Sequence, residues 1–286
     1  MQDAPPAPFD DKLPREILPV PAQDGSTLPR LVAVMRRLLG PGGCPWDREQ
    51  TFESLRKYVL EEACEVIDAI ESGRPDLLKE ELGDLLLQVV FQSELARGQA
   101  GFAIDDVVGG IVDKLVRRHP HVFADVSVKD SGEVLTNWER IKAEEKKNAA
   151  VLSGVPRSLP ALARAQRIGE KVARVGFDWE SPEGSRAKVR EELAELDLAV
   201  QEADKDAVEA EMGDVLFALV NLSRHHGVDA EGALRRTIDK FTRRFAHVEA
   251  RVQAKHGGWG AVGDAGALPL SELDGYWEEA KKAEGR

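Results

Sequence analysis

Apolar residues recur at spacings of three and four along almost the whole chain from Leu31 onward. Two clear runs are Leu55, Val59, Val66 and Ile70, and Leu234, Ile238, Phe241, Phe245 and Val248. Such spacing places apolar side chains on one face of an α-helix, and the strict alternation typical of half-buried strands is missing. The pattern therefore predicts an all-α protein built from antiparallel helix pairs.

The helical part contains an internal repeat with a constant offset of 130 residues. Four acidic residues recur at this offset, Glu62, Glu65, Glu81 and Asp84 as Glu192, Glu195, Glu211 and Asp214. Each copy then carries Asp-Lys followed by Arg-Arg, at 113–118 and 239–244, and a tryptophan four residues before a lysine, Trp138 and Lys142, Trp277 and Lys281. Self-similarity of this kind predicts tandem duplicated helical-bundle domains.

The repeat and the turn-forming residues divide the chain into three parts. Residues 1–27 contain six prolines and little periodicity, which predicts a flexible proline-rich tail. Gly154 and Pro156 interrupt the helical pattern and mark the joint between the two copies. We therefore expect an N-terminal helical domain at 28–152 and a C-terminal helical domain at 153–286.

Composition narrows the classes of partner. A formal net charge of −12 argues against sequence-independent binding to DNA or RNA, because positive surface charge supplies most of the affinity in such binding. No apolar run approaches the roughly 18 residues needed to cross a bilayer, and the N-terminus lacks a signal-peptide pattern. Two cysteines, Cys44 and Cys64, make neither a disulfide framework nor a zinc site. We expect a cytoplasmic protein without membrane or nucleic-acid-polymer partners.

The repeated acidic residues form pairs three residues apart on successive predicted helices. Residues at i and i+3 lie one turn apart on a helix surface, so both side chains can reach one point. A short turn between Glu195 and Glu211 would bring the two pairs face to face. On a helical wheel the pairs flank the predicted buried stripes, Val189, Leu193, Leu196 and Val200 on one helix and Met212, Val215, Leu216 and Leu219 on the next.

Two interpretations of this acidic cluster are open. Acidic helix residues usually form a solvated face, but these flank apolar stripes and recur in both copies. Neighbouring carboxylates repel one another by about 1 kcal/mol per pair in water, and a divalent cation removes that penalty. Oxygen ligands without His or Cys favour Mg²⁺, with Mn²⁺ as a substitute. We predict metal sites at Glu192, Glu195, Glu211 and Asp214 and, in the N-terminal copy, at Glu62, Glu65, Glu81 and Asp84.

Four further motifs point to a known family. They are Cys-Pro-Trp-Asp at 44–47, Arg-Arg-His-Pro-His-Val-Phe at 117–123, Val-Pro-Arg-Ser-Leu-Pro-Ala-Leu at 155–162 and Val-Gly-Phe-Asp-Trp at 175–179. With the ExxE and ExxD pairs, they closely resemble the MazG family of nucleoside triphosphate pyrophosphohydrolases. The resemblance implies an all-α NTP pyrophosphatase fold and a homodimer. It also implies hydrolysis of NTPs and dNTPs to monophosphate and pyrophosphate, in nucleotide-pool housekeeping and stress response.

The resemblance implies roles for individual residues. Glu192, Glu195, Glu211 and Asp214 would hold Mg²⁺ and carry the catalysis, and Trp277 would lie near the base. The residues implied in substrate binding are Lys188, Asn221, Lys240, Arg243, Arg244, Trp277 and Lys281. Lys188 also fits a plain helix-surface ion pair with Glu192, four residues further on.

The two copies differ outside the acids. Tyr58 stands in the place of Lys188 and Phe91 in that of Asn221, so we expect the C-terminal copy to be the main catalyst. The chain departs from the family at Ala207, where a lysine is usual. Two rival hypotheses stay open: selective clearance of damaged or deoxy nucleotides, and a metal-stabilised helical interaction module without turnover.

Overall fold

The computed structural model of the protein describes residues 27–124, 126–145, 150–259 and 268–285. Within these ranges it contains helices and no strand, which confirms the predicted all-α class. The predicted tail lies outside them apart from Thr27. The helices are α1 (Leu28–Leu39), α2 (Pro45–Arg48), α3 (Phe52–Ser72), α4 (Pro75–Gln99), α5 (Ile104–Arg118), α6 (Pro120–Phe123), α7 (Ser131–Glu145), α8 (Ala161–Ala173), α9 (Pro182–Glu202), α10 (Lys205–His225), α11 (Ala230–His256) and α12 (Leu270–Ala283).

The chain divides into two compact units, 1–147 and 148–286. In the first, α3 packs along α4, and α1 and α5 also contact α4. In the second, α9 packs along α10, α8 contacts α10 and α11, and α12 packs on α11. Each unit is therefore organised around one helical hairpin. Of the helices that the structure describes, none is long and apolar enough to span a membrane.

The two hairpins turn at equivalent positions. The residue that follows α3 is Gly73, with φ of 67°, and the residue that follows α9 is Ala203, with φ of 57°. A left-handed residue after the last helical turn reverses the chain and satisfies the last carbonyl groups. Asp204 then caps α10, since its Oδ1 accepts hydrogen bonds from the backbone N–H groups of Asp206 and Ala207. A two-residue turn thus sets the register between the paired helices.

The packed face of each first hairpin helix is a line of residues seven apart. On α9 the buried residues are Ser185, Glu192 and Ala199. Seven residues are close to two helical turns, so these side chains lie in one row against α10. Leu55 and Ala69 are buried on α3 at the equivalent positions, with the half-buried Glu62 between them. The hairpin seam therefore passes through a carboxylate in both units.

The predicted buried stripes on α9 and α10 are largely wrong for the single chain. Val215 is buried, but Leu193, Val200, Met212, Leu216 and Leu219 are 42–58% exposed. Leu193 and Val200 each follow a member of the Ser185–Glu192–Ala199 row and therefore lie about 100° around α9 from it. Helical periodicity identifies an apolar face without identifying what covers it, and here the neighbouring helix packs on a different face.

Two apolar clusters support the hairpins. In the first unit α1, α3, α4 and α5 contribute Val32, Met35, Leu55, Val90, Phe91, Leu95 and Ile104. In the second, Val248, Val252 and Tyr276 join α11 to α12. Glu272 of α12 also links α12 to α11, because it accepts a hydrogen bond from Lys255 and pairs with His256 of α11. It accepts a further hydrogen bond from Tyr276 within α12. These partners, Lys255 first, lower the pKa of Glu272 to about 2.

The turn at Ala203 provides a test of this architecture. A side chain in the left-handed region is strained, so Ala203→Gly should raise the free energy of unfolding by about 0.5–1 kcal/mol, and Gly73→Ala should lower it by about 1 kcal/mol. Ala210→Gly, in the interior of α10, is the matched control and should destabilise by about 1 kcal/mol. Urea unfolding measures all three. Destabilisation by Ala203→Gly equal to that of the control would contradict the assigned turn.

Candidate metal and nucleotide site

Three carboxylates of the C-terminal unit come together at the seam of the α9–α10 hairpin. Glu192, Glu195 and Glu211 each place one oxygen within 4.8 Å of the others. Glu192 is 6% exposed, Glu211 is half-buried and Glu195 is exposed. The fourth predicted ligand, Asp214, lies one helical turn after Glu211 and lines a cavity together with Glu192. The structure therefore collects three of the four acids into one cluster and places the fourth at its edge.

One cation already belongs to this cluster. The Nζ of Lys188 lies 2.7 Å from Oε1 of Glu192 and 2.7 Å from Oε1 of Glu191. The hydrogen bonds to Glu191 and Glu192 raise the pKa of Lys188, which keeps it charged. The hydrogen bond between Glu192 and Glu195, burial and the charges of Glu192 and Glu211 raise the pKa of Glu195. Lys188 thus neutralises only part of the negative charge.

The remaining charge and one atom of Glu211 fit a divalent cation. Its Oε2 is buried and has no hydrogen-bond partner among the residues that the structure describes. An unpartnered carboxylate oxygen is costly to bury, and a metal ion is one way to satisfy it. The donors here are all carboxylate oxygens, which suit hard cations such as Mg²⁺ or Mn²⁺. Glu192, Glu195 and Glu211 could therefore hold a metal ion. Asp214, which lines the cavity together with Glu192, could be a fourth ligand of the same ion.

A cavity of about 420 Å³ opens beside the acids. Helices α8, α9 and α10 and the segment 177–179 form it. The charged end of the cavity is lined by Lys188, Glu192 and Asp214, and the polar far end by Asp178, Asn221 and Arg224. The apolar walls between them consist of Ile168, Gly169, Val172, Phe177, Trp179, Phe217 and Ala218. Its size is that of a small-molecule site. Two predicted substrate residues, Lys188 and Asn221, lie in this lining.

Sequence reasoning missed the part played by the segment 175–179. Asp178 accepts hydrogen bonds from Nη1 of Arg224 at 2.9 Å and Nη2 at 2.5 Å, and its Oδ1 lies 3.1 Å from His225. The Arg224 hydrogen bonds lower the pKa of Asp178. This ion pair ties the segment to the end of α10. The available signal was the Val-Gly-Phe-Asp-Trp motif, which indicated the family but gave no role to its aspartate.

The other predicted substrate residues form a separate group on α11 and α12. Arg244 donates two hydrogen bonds to Oε2 of Glu284, at 2.9 and 2.7 Å, and lies 5.7 Å from the Trp277 ring centre. Arg243 reaches the same glutamate at 3.6 Å, and Lys281 pairs with Glu278 at 2.6 Å. Lys240 lies one turn before Arg244 on α11. None of these five residues lines the 420 Å³ cavity.

The N-terminal unit repeats the acidic cluster with different surroundings. Glu62, Glu81 and Asp84 lie within 4.8 Å of one another by one oxygen each. Burial, then Asp84 and Glu65, raise the pKa of Glu62, so the fourth predicted ligand is also close. Phe91, in the place of Asn221, is buried in the apolar core, and Tyr58 packs against that core. Aromatic side chains therefore fill the positions that are polar in the second unit.

Comparison with known proteins agrees with this architecture. The MazG nucleotide pyrophosphohydrolase domain matches residues 50–123 and 180–249, one stretch in each unit. The chain belongs to the MazG family. The prediction of a MazG-family hydrolase is thereby confirmed, and the two matched stretches accord with the tandem arrangement.

Relatives resemble the chain over most of its length. The nucleoside triphosphate pyrophosphohydrolase/pyrophosphatase MazG of Thermotoga maritima is 45% identical over 259 residues, covering 90% of this chain and 96% of the relative. The nucleoside triphosphate pyrophosphohydrolase of Escherichia coli is 47% identical over 261 residues, covering 89% and 97%. That of Mycolicibacterium smegmatis is 35% identical over 271 residues, covering 91% and 72%. The MazG family assignment therefore covers both units.

Metal stoichiometry tests the two clusters. We expect Mn²⁺ titration by calorimetry to find a site in each MazG unit, and Glu192→Gln with Glu211→Gln to remove one site per chain, because neutral amides replace two ionised ligands. Glu191→Gln is the matched control, since this carboxylate is 57% exposed and outside the cluster. It should leave the stoichiometry unchanged. Full stoichiometry in the double variant would exclude the C-terminal cluster as a metal site.

Proposed function

We propose that this protein hydrolyses nucleoside triphosphates, NTPs and dNTPs, to a monophosphate and pyrophosphate with Mg²⁺ as cofactor. The observation that carries the proposal is a buried, unpartnered carboxylate oxygen of Glu211 in an acidic cluster beside a nucleotide-sized cavity. The family match and the names of the relatives support the same activity. We further propose a cytoplasmic housekeeping role in the nucleotide pool, with a contribution to stress response.

The chemistry follows from the residues at the seam. Water attacks the α-phosphorus, a new O–P bond forms, and the bond from the α-phosphorus to the bridging oxygen breaks, so that pyrophosphate leaves. When bound by Glu192, Glu195, Glu211 and Asp214, a divalent cation supplies charge neutralisation and a more acidic water. A carboxylate oxygen of this set that faces the water accepts its proton. Lys188 holds Glu192 in place and adds positive charge where the phosphates lie.

The cationic group on α11 and α12 has a proposed second role. Pyrophosphate leaves with several negative charges, and cations that meet them lower the barrier. Lys240, Arg243, Arg244 and Lys281 are the group's positive charges. Arg244 is held in place by Glu284 and by the Trp277 ring, so it is positioned before substrate arrives. We propose that this group contacts the triphosphate.

A homodimer is the proposed assembly. Exposed apolar residues recur at the 130-residue offset in both hairpins, namely Ile70 and Val200, Leu82 and Met212, Leu86 and Leu216, and Val89 and Leu219. Large exposed apolar residues concentrated in one part of a protein are typical of interaction surfaces. Their repetition in both units favours a symmetric partner, a second copy of this chain, over an unrelated one.

Sedimentation analysis tests the assembly. We expect the protein to sediment as a dimer and Leu216→Glu to shift it towards monomer, because the introduced charge would be buried in the interface. Leu270→Glu is the matched control, as Leu270 is 80% exposed and lies at the start of α12. A monomeric wild-type protein, or a Leu216→Glu variant as dimeric as the control, would refute this surface.

Paired carboxamide variants test the activity and which copy carries it. Glu192→Gln and Asp214→Asn should each reduce pyrophosphate release from NTPs by about 100-fold or more, since they remove ionised groups at the reacting phosphate. The matched N-terminal variants, Glu62→Gln and Asp84→Asn, should reduce it far less. Chromatography of each NTP and dNTP reaction identifies the products. Orthophosphate with nucleoside diphosphate would mean that a different bond is cut, and no turnover would favour the interaction-module hypothesis.

A further inference from the structure

The two acidic clusters differ in the side chain that accompanies them. In the second unit Nζ of Lys188 lies 2.7 Å from Oε1 of Glu192, so an ammonium group already meets the most buried acid of that cluster. In the first unit the equivalent position is Tyr58, whose ring packs against the apolar core and lies 6.0 Å from the Trp46 ring, centre to centre. The same four acids are therefore accompanied by a cation in one unit and by an aromatic ring in the other.

The acids of the first cluster have no ion-pair partner among the residues that the structure describes. Three of them, Glu62, Glu81 and Asp84, each place one oxygen within 4.8 Å of the others. Lys57, which precedes Tyr58 in the chain, has its Nζ over the Tyr58 ring, 4.6 Å from the ring centre. The negative charge of this cluster is therefore left for a bound cation to neutralise.

A buried amide adds an oxygen atom to the first cluster. Gln88 of α4 is 7% exposed, and its Nε2 donates to Oε1 of Glu62 at 3.5 Å. The Oε1 of Gln88 is buried and has no hydrogen-bond partner within the described part of the chain. Such an oxygen is costly to bury, and side-chain amide oxygens are ligands that hard cations accept. The second unit has Ala218 at the equivalent position, so only the first cluster gains this donor.

One unit of charge beside a metal site changes its affinity by a measurable factor. Two unit charges 4 Å apart in water interact by an energy worth about fivefold in an equilibrium constant, and a divalent ion doubles that energy to about 30-fold. Because the Lys188 side chain is 35% exposed, solvent and salt reduce this factor to about tenfold. The amide of Gln88 is neutral and adds no repulsion. This difference favours metal binding at the first cluster.

We propose that the first unit holds a resident divalent cation between α3 and α4, with Gln88 as an additional oxygen donor, and that Lys188 lowers the affinity of the second cluster for free metal ions. The first site is structural, since it joins two helices without nucleotide. At low metal concentration the second site fills when a triphosphate draws the Lys188 ammonium away from Glu192 and brings its own cation. That coupling to the triphosphate rests on the proposed function, whereas the unequal affinities do not.

Mn²⁺ binding in the absence of nucleotide tests the unequal affinities. Electron paramagnetic resonance detects free Mn²⁺, so a titration counts the bound ions. We expect two sites per chain whose Kd values differ by about tenfold or more. Glu62→Gln with Glu81→Gln should remove the tighter site, and Glu192→Gln with Glu211→Gln the weaker one. Equal affinities, or loss of the tighter site in the second pair of variants, would overturn the proposal.

Variants at equivalent positions of α3 and α9 test the role of Lys188. Lys188→Met should tighten the weaker site by about tenfold, whereas Arg190→Met, an equal loss of charge at an exposed position of α9, should change it by less than about twofold. Tyr58→Lys should weaken the tighter site, and its control is Leu60→Lys at a position that is 56% exposed. Since Tyr58 packs on the core, the two α9 variants are sufficient by themselves. Equal effects of Lys188→Met and Arg190→Met would refute the role of Lys188.

Two further measurements test the amide and the structural role. Gln88→Ala introduces the residue of the second unit and should weaken the tighter Mn²⁺ site by about threefold or more, because one oxygen donor is lost. Mn²⁺ at ten times the Kd of that site should raise the midpoint of thermal unfolding by about 4 °C, and by far less in Glu62→Gln with Glu81→Gln. Unchanged affinity in Gln88→Ala would exclude this residue as a ligand. An unchanged midpoint in the wild-type protein would refute the structural role.

These measurements use neither nucleotide nor turnover, so their outcomes separate this inference from the proposed function. Two sites of equal affinity in a protein that releases pyrophosphate would keep the hydrolase and refute the resident cation. Unequal sites in a protein that releases no pyrophosphate would keep the resident cation and refute the hydrolase.

Discussion

Repulsion between carboxylates at a helix–helix seam is the constraint on which the rest of the C-terminal unit depends. Glu192 sits in the row by which α9 packs on α10, where an apolar residue would be expected. Like charges about 4 Å apart cost about 1 kcal/mol in water and several times more where water is excluded. Lys188 offsets one charge, and Glu211 keeps a buried oxygen unpartnered. A cation bound at the seam would therefore stabilise it, and metal binding would then be coupled to folding of the hairpin.

The helices, the repeat and the clustering of the acidic pairs could be predicted from the sequence, because each of them follows from regular spacing along the chain. A two-residue turn after Gly73 or Ala203 fixes the register, so carboxylates at a constant offset recur at equivalent places. The buried faces could not be predicted in the same way. A helical wheel gives the angle between residues but not the direction of the neighbouring helix, and Glu192 was placed beside the apolar stripe when it lies in the packed row.

The polar end of the cavity shows a second limit of sequence reasoning. Asp178 and Arg224 are 46 residues apart, and neither belongs to a periodic pattern. Their contact exists because α8 packs on α10 and the segment after α8 returns to the end of α10. Long-range ion pairs of this type follow from tertiary packing, so a family motif can indicate that the aspartate matters without indicating what it holds.

The two units carry opposite charges at one equivalent position of α4 and α10. Glu94 lies 130 residues before Arg224 and occupies the equivalent position in the first unit. Its buried carboxylate accepts hydrogen bonds from Arg36 of α1 and Arg97 of α4, both at 2.9 Å. In the second unit the arginine instead reaches outward to Asp178 in the segment at the cavity mouth. The Glu94 ion pairs join α1 to α4 in the unit where Phe91 is buried. The Arg224–Asp178 ion pair joins the segment 177–179 to α10 at the wall of the cavity. Both units thus keep the acidic residues, while differences such as Glu94 against Arg224 and Phe91 against Asn221 accompany a packed apolar core in the first unit and a cavity beside the acids in the second.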